Sequence, residues 1–167
     1  KQAEEGLSLL QEIHNQNPNQ WMIELGLAEA EQITGQLNSA LDRVKHLWES
    51  NPSNYAILLE YVTLLLQNKQ PDIAINLLVA ERKAHFNDPV LHQMLARAYS
   101  QSHQQAELHR SQAEWHFARG EFKDALKQLD LALEYVQNNK AQKSKFLLQY
   151  LSASEPVKSW PIPHTAG

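Results

Sequence analysis

The chain has 167 residues, 43% of them apolar, enough to bury a substantial core either as one compact body or as a row of stacked units. Its net charge of -4 and pI near 6.1 argue against a phosphate-binding surface, because nucleic-acid affinity comes from clustered Lys and Arg that release counterions. Absence of cysteine removes disulfide frameworks, thiolate zinc sites and thiol nucleophiles together, and is compatible with a reducing or an oxidising compartment.

In chain order, residues 2–16 read as a helix with Gly6, Leu7, Leu10 and Ile13 on its apolar face, stopped by Pro18. From there the sequence repeats with a period of 34, Pro18 to Pro52, Trp21 to Tyr55, Ala28 to Val62, Leu37 to Pro71, Ala40 to Ala74 and Leu41 to Ile75. A unit of that length resembles a tetratricopeptide repeat, two antiparallel helices and a turn that must stack on its neighbours to bury its apolar faces. With Pro52 at repeat position 32, Trp21 opens a unit, Ala28 falls at 8, Gly35 at the tight turn, Leu37 at 17 and Ala40 at 20, and Leu47 at 27 alone is larger than the pattern asks. Gly supplies the positive φ at which the chain reverses, and Ala lets helix axes approach. The opening helix is then the second half of a unit, so the chain reads as a segment of something longer.

The next unit, Tyr55, Val62, Pro71, Ala74 and Leu78, is degenerate, with Asp72 suited to capping or to the dipole of a helix start. A clearer unit follows at Ala113, Gly120, Phe122, Ala125, Leu129 and Ala132, but Ala74 to Ala125 spans 51 residues, one and a half periods. An additional helix is therefore expected at about 89–101, after the Asp88-Pro89 cap pair, with Leu91, Leu95, Ala96 and Tyr99 on one face. Helices near 104–118 and 121–137 follow, the former packing on both neighbours, and an end-capping helix at about 140–152 buries Phe146, Leu147 and Tyr150. The expected fold is all-α, a solenoid of about nine antiparallel helices over residues 1–153, and a Pro-rich tail, 154–167, extended or disordered. Trp160 in that tail either docks on a neighbouring surface or frays. Trp21, Trp48, Tyr99 and Trp115 are expected in the core.

Catalytic chemistry is missing from this pattern. The eight histidines show no ligand spacing, His109 and His116 lie two turns apart, and no HExxH segment is present, so they read as surface residues. Ser111 and Ser144 lack a Gly-x-Ser-x-Gly context, and five scattered glycines make no phosphate loop. The segment is read as non-enzymatic, with no cofactor or metal of its own. Its longest apolar run, Tyr55 to Leu66, is far short of the roughly 20 residues that cross a bilayer.

The remaining resource is surface. First helices of tetratricopeptide units line a concave face, here Met22, Leu25, Glu29, Gln32 and Ile33, then Ala56, Leu59, Thr63, Leu66 and Gln67, then Val90, Gln93, Arg97, Ser100 and Gln101. With Arg97 as the one cation among them, this lining does not suit a clamp for a terminal carboxylate. It suits extended or unfolded protein segments, unless Leu25, Leu59 and Leu66 simply pack between helices. Phe86, where a regular unit has its proline, is either an exposed partner anchor or a staple on the next helix.

From Leu91 to Leu151 the chain resembles the C-terminal end of the periplasmic, tetratricopeptide-containing zinc metalloproteases of Gram-negative bacteria, the β-barrel assembly-enhancing protease family. Leu95, Ala96 and Tyr99, the run Ala106-x-x-His109-Arg110-x-x-Ala113-Glu114, the Gly120 turn and Ala125, Leu129 and Ala132 carry it; Trp115, His116 and Phe117 stand where members have tyrosines. The resemblance implies a periplasmic parent whose HExxH zinc site lies upstream. It also implies partners among outer-membrane protein substrates, the barrel-assembly machinery and the parent's own protease domain. A stand-alone tetratricopeptide adaptor is the alternative.

Overall fold

In a computed structural model, which describes residues 2–18 and 20–138, the described residues form eight α-helices and no strand. They are α1 (Gln2–Gln16), α2 (Trp21–Ile33), α3 (Leu37–Ser50), α4 (Tyr55–Gln67), α5 (Pro71–Glu81), α6 (Pro89–Gln101), α7 (Gln105–Ala118) and α8 (Phe122–Asn138). Each packs on the helix before and after it in an all-α, tetratricopeptide-like stack. The expected ninth helix at 140–152 and the tail at 154–167 lie outside the described residues.

The helix starts follow local chemistry. Asn54 caps α4 by accepting hydrogen bonds from the Ala56 and Ile57 amides, and Asp88 caps α6 by accepting from Val90 N at 2.8 Å. Pro71 and Pro89 open α5 and α6 where no amide is needed. Asp72 makes no cap; the residue before α5 is Gln70, and Asp72 sits in the first turn beside the positive end of the helix dipole. Asp88 also accepts a 2.7 Å hydrogen bond from Tyr55 Oη, which ties the start of α4 to the start of α6, and the Tyr55 ring stacks on His85. Burial, then the Asp88 bond, push the Tyr55 hydroxyl above its usual range.

The period resides most sharply in the turns. Gly35, Lys69 and His103, spaced 34 apart, all have positive φ, at 83°, 56° and 59°. At each one the same pair of backbone hydrogen bonds closes the preceding helix, with the Gln36, Gln70 and Gln104 amides donating back to the carbonyls of Glu31, Leu65 and Tyr99. The pairs α2/α3, α4/α5 and α6/α7 are therefore equivalent hairpins. Gly120, at φ 77°, repeats the arrangement only 17 residues after His103, with Glu121 N donating to His116 O. Two tight turns in succession are the cause of the one-and-a-half-period spacing: α6 is in register with α2 and α4, and α7 is folded back at both of its ends.

The core runs without a break from α2 to α6, through Ala28, Ala40, Val44, Ile57, Val62, Leu65, Leu78, Leu91, Leu95 and Tyr99. Each fully buried Leu, Ile or Val in it contributes about 1.5–3 kcal/mol. Trp48 stacks on Tyr61 across the α3–α4 seam, with ring centroids 5.8 Å apart. Of the four aromatics expected inside, Tyr99 is buried and Trp21, Trp48 and Trp115 are half-buried; the guanidinium of Arg119 covers the Trp115 ring at 4.5 Å.

Lys69 and His103 occupy a conformation that costs a non-glycine residue about 1–2 kcal/mol, whereas a Cβ at Gly35 would meet no atom within 4 Å and would bring backbone strain alone. We predict that Gly35→Ala lowers stability by about 1 kcal/mol, while Lys69→Gly and His103→Gly leave it unchanged or raise it by a few tenths, as read from urea midpoints.

Candidate protein-docking face

The helices α2, α4 and α6 stand side by side and offer one shared face. Gln32 Nε2 donates to Gln67 Oε1 at 2.6 Å, linking the ends of α2 and α4, and α4 touches α6 directly. On this face Met22 and Ile33 are 64% and 65% exposed, and Glu29, Ala56, Gln67, Val90, Gln93, Arg97, Ser100 and Gln101 are exposed as well. Spacings of three and four residues along α6 place Gln93, Arg97, Ser100 and Gln101 on one stripe.

The apolar candidates divide. Leu66 is buried within the core cluster and is not part of any docking surface, while Leu25 is half-buried against that cluster. Leu59 is half-buried, and its carbonyl accepts a 2.9 Å hydrogen bond from Thr63 Oγ1, which occupies the threonine hydroxyl within its own helix. Between α2 and α4, the Glu60 carboxyl is pushed up, first by burial and then by the charge of Glu29. The face is thus amide-rich, with apolar ends and a carboxylate pair near its middle.

Phe86 stands apart, in the α5–α6 connection. It is half-buried, edge-on to His92 with ring centroids 6.2 Å apart, and its carbonyl oxygen lies 2.6 Å from His92 Nε2. This is the staple geometry of the two alternatives.

His92 is itself a correction to the reading of the histidines as surface residues, since it is 1% exposed. Its Nδ1 approaches Glu114 Oε2 at 3.1 Å, obliquely. Glu114 also pairs with Arg82, just beyond α5, and lies 4.0 Å from Arg110 Nε, with buried Glu107 and Tyr99 alongside. A second, less buried clamp joins α2 to α3: Arg43 donates to Glu31 at 2.7 and 3.1 Å and to Glu24 at 2.6 Å. The Glu31 bond, more than any other influence, strengthens the Arg43 charge. Arg43, Trp21, Asp42 and His46 border an open polar cleft of about 620 Å³.

No sequence spacing pointed to these clusters, because their members come from different helices. The run Ala106, Arg110, Ala113 and Glu114 was visible as a resemblance, and the structure turns all four inward. His109 bonds Gln128 of α8 through Nδ1 at 2.8 Å. That motif therefore holds α7 between its neighbours. The described residues include no group of three His, Asp or Glu side chains placed to hold a metal ion, and no described helix is long and apolar enough to cross a membrane.

The tetratricopeptide repeat family model matches residues 33–98. Among solved structures, MamA RS-1 ArsTM double mutant aligns with a TM-score of 0.56 at 17% identity, over 81% of this chain and 86% of that one. MamA AMB-1 P212121 gives 0.52 at 16% identity over 83% and 92%, and MamA MSR-1 C2 gives 0.50 at 17% over 82% and 88%. At such identities the likeness is one of fold. No curated protein matches the chain.

Burial is the largest single influence on Glu114 and favours its neutral acid, but the His92 contact and the charges of Arg82 and Arg110 together outweigh it and hold the carboxyl below its ordinary value of 4.5. A carboxyl that ionises more readily folded than unfolded stabilises the fold fully above that ordinary value, and the contribution is lost as pH falls through the folded one. We predict that Glu114→Gln costs about 3–5 kcal/mol at pH 7, by leaving Arg82 and Arg110 buried without their counterion. In urea titrations the gap between variant and parent should narrow as pH falls below 4.5.

Proposed function

We propose that this chain is a non-catalytic protein-docking domain that receives extended segments of partner proteins along the shared face of α2, α4 and α6. The observation that carries this reading is the row of exposed, mostly uncharged side chains at equivalent positions of three adjacent helices, Met22, Ala56 and Val90 at one end and Ile33, Gln67 and Gln101 at the other, with Glu29, Gln93 and Arg97 between them. Amide side chains both donate and accept hydrogen bonds, so they suit the alternating donors and acceptors of an extended backbone. Exposed Met22, Ile33 and Val90 add apolar contacts without demanding one partner sequence.

On the resemblance over Leu91 to Leu151, we further propose that the parent protein is a periplasmic zinc metalloprotease of outer-membrane β-barrel assembly and quality control. In it, the zinc and the general-base glutamate belong to a separate catalytic domain, and this domain selects the substrate or contacts the assembly machinery. A second reading, a scaffold with no protease attached, is favoured by one observation: the matched MamA chains are covered to 86–92% of their own length by this fold, so repeats of this type make up nearly all of those chains.

Photo-crosslinking residues placed at Gln32, Gln93 and Arg97 of the intact parent protein in cells should form protein adducts, while the same probe at exposed Lys45 of α3 should not. Adducts from Lys45 alone, or from none of the four, overturn the docking reading. Zinc bound stoichiometrically by the intact parent supports the protease assignment, and a parent made of repeats throughout supports the scaffold.

A further inference from the structure

The charges of the docking face are few, and they are sorted by sign. Of the acidic and basic residues on α2, α4 and α6, Glu24 and Glu31 are held by Arg43 of α3 and His92 is buried, which leaves Glu29, Glu60 and Arg97. No described residue forms a hydrogen bond or an ion pair with any of the three. Glu29 and Arg97 are exposed and occupy the same place two periods apart. At the place between them Thr63 spends its hydroxyl on the Leu59 carbonyl of its own helix. The three helices therefore present, in order, an anion, a neutral residue and a cation along one line across the face.

Glu60 reinforces the anionic side of this line. It is half-buried, and burial first, then the charge of Glu29, push its carboxyl up. A cation placed between the two carboxylates offsets both effects.

This arrangement disfavours uniformly charged partners. A segment with only acidic side chains meets Glu29 and Glu60, one with only basic side chains meets Arg97, and like charges brought together at an interface cost affinity. Neighbouring helices pack about 8–10 Å apart, so Arg97 lies roughly 16–20 Å from Glu29. An extended chain covers that span in about six residues at roughly 3.3 Å each, and an even interval turns both side chains to the same side.

Resting on the docking reading above, we propose that the occupant of this face is an extended segment with opposite charges about six residues apart, its Lys or Arg between Glu29 and Glu60 and its Asp or Glu on Arg97. The charges thereby set the direction in which the segment lies. Its basic end rests on α2 and its acidic end on α6, whichever comes first in the partner's sequence.

The full chain, immobilised, can be used to select from a displayed library of random dodecapeptides at low salt, where exposed charges are least screened. Selected peptides should carry a basic and an acidic residue about six positions apart at least about threefold more often than the unselected library. Arg97 is exposed, so Arg97→Glu should leave Tm unchanged. Selection on this variant should replace the acidic member of the pair by a second basic one. In fluorescence anisotropy the parent's best peptide should bind the variant about tenfold more weakly. Lys45→Glu on α3, the same change of charge away from the face, should leave both readings as in the parent. Enriched peptides without the pairing, or a pairing that persists on Arg97→Glu, overturn this inference and leave the docking reading standing. A selection that enriches no peptide overturns the docking reading as well.

Discussion

A pair of helices joined by a tight turn has more apolar surface than it can cover by itself, and this shortage governs the whole molecule. Each second helix can hide its outward leucines only beneath the first helix of the next unit, so stability passes along the stack from neighbour to neighbour. The unbroken core from Ala28 to Tyr99 is the physical form of that dependence. The left-handed turns at residues 35, 69 and 103 matter because they set the register: they return every hairpin at the same phase, which brings Ala40 and Ala74 to the close crossing and Val44 and Leu78 to the seam.

Against this regularity, the repeat positions facing the hairpin interior differ in chemistry from unit to unit. Leu58 and Leu65 in α4 are apolar and buried; one period earlier stand Glu24 and Glu31, one period later His92 and Tyr99. Where the apolar pair is lost, a partner helix supplies a polar partner, Arg43 from α3 for the two glutamates and Glu114 from α7 for the histidine. An apolar contact tolerates slippage, whereas a guanidinium fork admits few arrangements of its carboxylates. These clamps therefore restrict which helix faces meet while burying charge at a cost that the pairing roughly offsets.

The division of labour follows. Polar and ionic side chains between the helices of a hairpin hold it shut, and the face shared by α2, α4 and α6 carries amides and a few apolar groups, with Gln32 and Gln67 bonded to each other across it.

Helix positions, the 34-residue period and the all-α class could be read from the chain alone, because they depend on local causes: caps at Asn54 and Asp88, prolines at 71 and 89, glycine at 35, and small residues at fixed intervals. The same reading missed the equivalent turns at Lys69 and His103, since neither residue type announces a left-handed backbone, although it placed Val90, Gln93, Arg97, Ser100 and Gln101 of α6 in register with α2 and α4. It also could not separate Leu66, which is buried, from Gln67, which is exposed, or see that His92 is buried against Glu114 and Phe86. Periodicity specifies which residues share a helix face; only the packing of one helix on another decides whether that face meets solvent, a leucine or a buried charge, because that outcome depends on side chains distant in the chain.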